Sequence, residues 1–244
     1  MMTQQSYQRQ VVLDTETTGM NQSGVAIYLG HKIIEIGCVE GINRRLTGRT
    51  FHVYINPDRL VDEEAFKVHG ISDDYLRNKP RFGEIAQDFI DFIAGAELII
   101  HNAPFDVGFM DYEFGLLGRG IQKTSEMSGI LDTLVMAKQL HPGQRNSLDA
   151  LCKRYEIDNS SRELHGALLD AEILSDVYLF MTGGQTKLNL SLNSDQEHSD
   201  GSAQAIDSSL MLKIIAATAG ELESHQARLE VVKGNGGSCM WLDN

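Results

Sequence analysis

Residues 11–19 read V-V-L-D-T-E-T-T-G, a short apolar run rich in β-branched residues that ends in two acids. Because side chains alternate between the two faces of a strand, Asp14 and Glu16 are predicted to point to the same face. Neighbouring carboxylates repel each other, and a hard divalent cation such as Mg²⁺ or Mn²⁺ is the usual ion that offsets the repulsion. The pattern therefore indicates either a metal site or two solvated acids at a strand end.

The pattern of apolar residues further along the chain predicts an α/β fold with a mixed five-stranded sheet flanked by helices. The segment 19–30 is polar and punctuated by glycine, which favours a hairpin-type connection between the first two strands. After the first strand, further strands are predicted over 33–39, 51–55, 98–100 and 129–131, and helices over 85–93, 105–117, 147–155 and 166–181.

Three more polar residues follow predicted strands or begin predicted helices. Asp106 lies in H-N-A-P-F-D, just after a short buried strand, where an acid is also a common partner of the helix dipole. His165 and Asp170 lie in H-G-A-L-L-D-A. A step of five residues is about 140° around a regular helix, so His165 must come from the entry turn at Gly166 to share a site with Asp170. Four acids and one histidine from three segments suit two-metal phosphoryl chemistry, in which a base removes a proton from water.

Composition and charge restrict the class of protein. The chain has 244 residues, of which 42% are apolar and 23% charged, an ordinary globular mixture. The three cysteines are widely spaced and form no C-x-x-C motif, which argues against a disulfide framework or a zinc ribbon. The cysteine content therefore favours a reducing, cytoplasmic compartment. No apolar run approaches the roughly 20 residues of a membrane span, and the N-terminus is polar. The net charge of −13 excludes a basic face as the main means of binding nucleic acid.

Four motifs in this order, D-T-E-T-T-G, H-N-A-P-F-D, R-N-S-L-D-A-L and H-G-A-L-L-D-A, resemble those of the DEDDh 3′→5′ exonuclease family. The resemblance extends from Val11 to Gly184. This stretch and the C-terminal G-G-S-C-M-W are similar to the proofreading members of the family, which act with bacterial replicative polymerases. It implies a ribonuclease-H-like fold and a metal-dependent enzyme that removes mismatched nucleotides from a single-stranded or frayed DNA 3′ end.

The resemblance also implies a role for each matching residue. Two divalent ions, Mg²⁺ or Mn²⁺, would be held by Asp14, Glu16 and Asp170, with Asp106 completing the site, often through a water. His165 would be the general base. Substrate contacts would be made by Asp14, Glu16 and Asp170 and, in D-E-E-A-F-K-V-H-G-I, by Glu64 and His69, and more loosely by Thr15, Thr18 and Asn102. Taken alone, His69 also fits a capped turn before Gly70.

The C-terminal part of the chain is predicted to bind partners. We place the exonuclease domain at 1–184, a linker at 185–209 and a polymerase-binding segment at 210–244. The linker begins with Gln185, Leu188 and Leu190 in Q-T-K-L-N-L, which resembles the sliding-clamp-binding motif of bacterial replication proteins but is short enough to be plain linker. Residues 210–217 are apolar, and Leu222, Leu229 and Val232 recur at intervals compatible with one helical face that ends near Gly234. Trp241 is a candidate anchor for the polymerase catalytic subunit. Whether a small accessory subunit covers the catalytic domain stays open.

Three other functions compete with this interpretation. An exonuclease of the same fold could act on RNA or short oligonucleotides, because the metal site does not itself read the sugar. A non-catalytic adaptor could bridge clamp and polymerase, although the intact set of five site residues argues against it. An aspartyl-phosphate phosphatase would prefer Asp at position 16, where this chain has Glu16.

Overall fold

The computed structural model describes residues 9–22, 24–160, 164–183 and 217–236. The chain divides into two compact units, Met1–Leu188 and Asn189–Asn244. Within the described parts of the chain, no helix combines the length and the apolar character that a membrane crossing requires.

The first unit is built on one five-stranded sheet whose strands lie in the order β3-β2-β1-β4-β5. β1 pairs antiparallel with β2, which pairs antiparallel with β3, whereas β1, β4 and β5 are parallel neighbours. The strands are β1 (Arg9–Thr17), β2 (Ile33–Ile42), β3 (Arg45–Tyr54), β4 (Glu97–Ile100) and β5 (Gly129–Asp132). The predicted mixed sheet and the hairpin-type connection of its first two strands are thus confirmed.

Helices cover both faces of this sheet. They are α1 (Glu63–His69), α2 (Asp73–Leu76), α3 (Phe82–Ile93), α4 (Ala103–Leu116), α5 (Thr124–Met127), α6 (Thr133–Leu140), α7 (Leu148–Tyr155) and α8 (Ala167–Thr182). The predicted helices 85–93, 105–117, 147–155 and 166–181 correspond to α3, α4, α7 and α8. The pattern missed α1, α2, α5 and α6. The first three have at most seven residues, and the apolar residues 134–137 of α6 are consecutive, so none of the four shows the three- and four-residue spacing that reveals the equally short α7.

Successive side chains of β1 point to opposite faces of the sheet and belong to two different apolar clusters. Val11 and Leu13 belong to the larger apolar cluster, which includes Phe89 of α3 and Phe109 of α4. Val12 packs instead in the cluster that contains Leu174 of α8. Because the side chains of β1 alternate in this way, Asp14 and Glu16 continue the α8 face, while Thr15 continues the α4 face.

The second unit contributes one described helix, α9 (Ala219–Gly236). Its start is a capping box: the Thr218 hydroxyl accepts the Glu221 amide at 3.4 Å, and the Glu221 carboxylate accepts the Thr218 amide at 2.8 Å. Leu222, Val231 and Val232 are exposed. The helix agrees with the helical periodicity predicted up to residue 232, whereas residues 210–216 lie outside the described part of the chain.

Candidate active site

The carboxyl ends of the three parallel strands meet at one edge of the sheet, where a cleft of about 610 Å³ opens. Asp14 and Glu16 line this cleft from the last residues of β1. Both side chains are half-buried, and they are separated by Thr15, which is buried on the opposite face. The structure thus places the two acids on the same face, as the alternation predicted.

The N-terminus of α8 reaches the cleft because a glycine lies beneath it. Gly37 of β2 is the direct strand partner of Asp14. A Cβ atom at Gly37 would lie 2.2 Å from the backbone carbon of Ala167 and the backbone nitrogen of Leu168. Only a residue without a side chain allows this close approach, and the approach places the first turn of α8 directly over the acids of β1.

Asp170 and His165 come from the first turn of α8 and from the residues just before it. Asp170 is buried, and its amide donates to the Gly166 carbonyl at 2.8 Å. The Nδ1 atom of His165 lies 3.3 Å from the Asp170 carboxylate. The His165 amide also donates to the carbonyl of Val68 on α1, at 3.1 Å. The entry turn therefore brings His165 next to Asp170, as the helical geometry required.

Asp106 approaches from the other face of the sheet, on the first turn of α4. It is buried, and the Thr15 hydroxyl donates to its carboxylate at 2.7 Å. Burial raises the pKa of Asp106 to about 7, and the Thr15 hydrogen bond only partly opposes this increase. A bound cation would favour the ionised form, so the carboxyl group suits a metal site.

The donor atoms fit a hard divalent cation. One ligand atom each from Glu16, His165 and Asp170 can be chosen so that all three lie within 4.8 Å of one another. Asp14 and Asp106 line the same cleft and add carboxylate oxygens. A site dominated by carboxylates is typical of Mg²⁺ or Mn²⁺. The residues present therefore fit a divalent metal, and His165 lies directly beside the carboxylates that would hold the ion.

A second cavity of about 310 Å³ adjoins the cleft and shares Glu16 and Phe105 with it. Glu64 and His69 of α1 line this cavity. The Nδ1 atom of His69 accepts the Ile71 amide at 3.0 Å, and burial lowers the pKa of its ring. The ring is therefore neutral near pH 7, with the proton on Nε2 as a hydrogen-bond donor.

Of the three further residues predicted to contact the substrate, two line the cleft and one does not. Asn102 lines the cleft, and so does Thr15, although the Thr15 hydroxyl is already bonded to Asp106. Thr18 lines neither cavity: it is fully buried, and its hydroxyl accepts the Lys32 amide at 3.0 Å. Its side chain stabilises the connection between β1 and β2 and is not available to a nucleotide.

Sequence reasoning did not assign one part of the cleft wall, which includes His101, Ser147 and Asp149. Two of them lie inside the quoted motif R-N-S-L-D-A-L, so the motif located the wall without showing which side chains face the site. Ser147 also caps α7 by accepting the Ala150 amide at 3.4 Å, which ties the wall to a helix start.

The predicted clamp motif and tail anchor lie outside the described residues. Gln185, Leu188, Leu190 and Trp241 belong to this group. Their roles, and the proposed boundaries at 184 and 209, stay predictions.

Comparison with known proteins agrees with this geometry. A family model described as Exonuclease (RNase_T) matches residues 11–178, which include every acid of the cleft. DNA polymerase III subunit epsilon of Escherichia coli (strain K12) is 58% identical over 236 residues, covering 96% of this chain and 97% of the relative. The Haemophilus influenzae protein of the same name is 56% identical over 248 residues, covering 96% of this chain and 94% of the relative.

Solved structures support the fold. Exonuclease X in complex with 5′ overhanging duplex DNA is 23% identical, with a TM-score of 0.53 over 71% of this chain and 91% of that chain. An Escherichia coli ExoI–ssDNA complex is 17% identical, with a TM-score of 0.58 over 71% of this chain and 40% of that chain. The family model and the identity to these relatives, together with the shared fold, lead to one conclusion. The chain belongs to the exonuclease family and, within it, to the DNA polymerase III epsilon subunits, the proofreading 3′→5′ exonucleases.

Proposed function

We propose that the cleft hydrolyses the last phosphodiester bond at the 3′ end of a DNA strand and releases one nucleotide at a time. The observation that carries this proposal is the convergence of Asp14, Glu16, Asp106, His165 and Asp170 on one cleft at the sheet edge. Acids from β1, α4 and α8 surround a single volume there, and the chain matches proofreading subunits over nearly its full length.

Two divalent ions, Mg²⁺ or Mn²⁺, complete the site. Asp14, Glu16 and Asp170 would hold them directly, and Asp106 would complete the set, through a water or directly. When bound, the ions supply the positive charge that activates a water and stabilises the leaving oxygen. The metals therefore explain how a chain with a net charge of −13 can bind a phosphodiester without a basic face.

His165 takes the proton from the attacking water. The Asp170 carboxylate lies 3.3 Å from its Nδ1 atom, which favours the tautomer with the proton on Nδ1 and leaves Nε2 as the basic nitrogen. The hydrogen bond from the His165 amide to Val68 holds the backbone of the entry turn. Asp170 thus has two tasks, since it orients the base and holds a metal.

The smaller cavity takes the 3′-terminal nucleotide. Met20, Val68 and Phe105 give it apolar surface for a base and sugar, while Glu64 and the neutral His69 supply polar groups. The cavity shares Glu16 with the cleft, so a nucleotide held there has its phosphate next to the metal ligands. A terminus must leave its duplex to enter such a cavity, and a mismatched end frays more readily than a paired one.

The C-terminal segment holds the nuclease beside the polymerase. The exposed apolar residues Leu222, Val231 and Val232 of α9 support a docking role for the segment 210–244 with the polymerase catalytic subunit. The motif at 185–190 would bind the sliding clamp. Tethering raises the effective concentration of the nuclease at the primer end, which offsets the weak affinity for DNA expected from its charge.

One assay tests the catalytic part of this proposal. Purified protein is incubated with Mg²⁺ or Mn²⁺ and end-labelled primer-templates, one fully paired and one with a 3′ mismatch, beside a matched RNA strand and an Asp14→Ala control. We expect stepwise shortening of DNA from the 3′ end, faster for the mismatch and absent with Asp14→Ala. A preference for RNA would instead support an RNA exonuclease, and no hydrolysis at all would support the non-catalytic adaptor.

A further inference from the structure

Asn102 has an unusual backbone conformation at the start of α4. It is the N-cap residue of this helix, with φ 67° and ψ 51°, in the left-handed region. This region is unfavourable for most residues with a Cβ atom, and although Asn adopts it more readily than others, contacts from the surroundings are needed to hold it there as a single conformation. Asn102 lines the cleft, and Asp106 follows it by one helical turn. Whatever holds Asn102 therefore also sets the position of both side chains.

The Asp132 carboxylate is the group that holds it. Its Oδ1 atom accepts the Asn102 amide at 3.2 Å. The same oxygen accepts the amides of Leu134 at 2.8 Å and Val135 at 3.2 Å, which caps α6. Asp132 can bridge in this way because it is the strand partner of Ile100, at the end of the parallel pair β4 and β5.

The neighbouring residue strengthens the same junction. The Thr133 hydroxyl donates to the Ile100 carbonyl at 3.1 Å. It also lies 3.0 Å from Nδ1 of His101, another residue of the cleft wall. Asp132 and Thr133 thus hold three consecutive residues, 100 to 102, between the end of β4 and the start of α4.

We propose that Asp132 is a positioning residue for the exonuclease reaction. It is not among the described residues that line the cleft, and it acts by keeping Asn102 in the left-handed conformation. This conformation directs the Asn102 side chain into the cleft and starts α4 at the angle that presents Asp106. The inference rests on the proposed function, because the cleft must be catalytic for the positioning to affect rate.

A helix cap alone would not require this arrangement. Capping α6 needs only the Leu134 and Val135 amides, and the bond to Asn102 crosses to the start of another helix, α4. The additional bond satisfies the amide of a residue whose conformation needs support. The proposal therefore predicts an effect on turnover that an ordinary N-cap would not have.

The first test measures backbone conformation and turnover separately. In full-length protein labelled for NMR, the three-bond HN–Hα coupling and Cα shift of Asn102 report its φ angle without any need for activity. Asp132→Ala should move both away from left-handed values, and should lower kcat on a single-stranded DNA 3′ end about tenfold with little change in KM. Asp132→Asn keeps an acceptor oxygen in place and should restore most of the rate.

The second test is a double-mutant cycle with Asn102→Gly, because glycine adopts the left-handed region without steric cost. In the Asn102→Gly background, Asp132→Ala should lower kcat less than about threefold, compared with about tenfold in the wild-type background. Ser72→Ala is the matched control, since Ser72 caps α2 by accepting the Tyr75 amide at 3.2 Å and lines neither cavity. It should leave kcat unchanged.

Each outcome decides the proposal. An Asn102 that stays left-handed in Asp132→Ala, an unchanged kcat in that variant, or equal losses in both backgrounds would overturn it. If wild-type protein itself fails to shorten DNA, the proposed function fails, while the NMR measurement still decides whether Asp132 anchors Asn102.

Discussion

Acidic side chains at the two ends of the β1–β2 pair have opposite electrostatic surroundings. At the end near the start of β1, Glu40 is buried against two arginines. Its carboxylate lies 2.7 Å from Arg9 and 2.9 Å from Arg49, and it accepts the Thr47 hydroxyl at 2.9 Å. At the carboxyl end of β1, the described residues that line the cleft include five acids and two histidines but neither Lys nor Arg.

The pKa values follow this difference. Burial alone would raise the pKa of Glu40, but the hydrogen bonds from Arg9 and Thr47 and the charges of Arg9 and Arg49 together outweigh it and lower the pKa overall. Burial of Asp106 raises its pKa to about 7, and the Thr15 hydroxyl does not reverse the increase. Side chains thus supply the compensating charge for the structural acid Glu40, whereas the proposed catalytic acids would take it from bound metal.

Removing a metal ligand should have the largest effect. We expect Asp170→Ala to lower kcat by about a thousandfold or more, because Asp170 is proposed both to hold a metal and to orient His165. The fold should persist, since the change removes one carboxylate from a crowded site. Single-turnover shortening of an end-labelled DNA strand gives the rate, and thermal unfolding checks the fold. Wild-type turnover in this variant would refute the assignment.

Removing the base should have the next largest effect. His165→Ala should lower kcat by about a hundred- to a thousandfold. The acids stay in place, so the protein should retain its divalent metal. Calorimetric titration with Mn²⁺ beside the kinetic assay separates the two roles. Loss of metal binding equal to that of Asp170→Ala would show that His165 is chiefly a ligand.

A side chain at Gly37 should displace the start of α8 at the cleft without changing any charged group. In Gly37→Ala, the new methyl group would meet the backbone of α8 at 2.2 Å, so the helix must shift. We expect a loss of about 1 to 3 kcal/mol in stability and about ten- to a hundredfold in kcat.

The control for this change lies at the other end of the same strand. The nearest atom to a Cβ at Gly41 is the Arg45 carbonyl oxygen at 3.6 Å, an ordinary contact. Gly41→Ala should therefore keep the turnover of the wild type. Equal losses in the two variants would mean that β2 tolerates alanine poorly in general, and that the approach of α8 is not the cause.

Breaking the structural ion pairs should have the smallest effect, and only on stability. Glu40→Gln should cost about 1 to 2 kcal/mol at neutral pH, because its arginine partners are partly solvated. The pKa of Glu40 is lowered in the folded state, so the charged form stabilises the protein above the unfolded pKa of about 4.3. The difference between variant and wild type should shrink as the pH falls below that value.

Denaturant unfolding at several pH values measures this effect. Turnover of Glu40→Gln at neutral pH should equal that of the wild type, because the residue lies at the opposite end of the sheet from the cleft. A large fall in kcat would contradict the separation of the two ends.

Much of the fold follows from local pattern. Alternation along residues 11–17 determines that Asp14 and Glu16 share a face, and the 3.6-residue period of α8 requires His165 to come from its entry turn. Both expectations agree with the observed positions. The helices α1 and α6 were not predicted, because α1 has only seven residues and the apolar residues of α6 are consecutive, without the three- and four-residue spacing of a helical face.

The sequence by itself determined that the fold is a mixed sheet flanked by helices and predicted the five candidate site residues, because strand and helix patterns and motifs depend on spacings within short segments. The tertiary structure alone decided how segments meet. It shows that Gly37 allows the close approach of α8, that Thr15 donates to Asp106 and that Asp132 holds Asn102, contacts that join residues 30 to 131 positions apart in the chain. Such contacts leave no local pattern, since each depends on a strand register and a packing distance that only the folded chain defines.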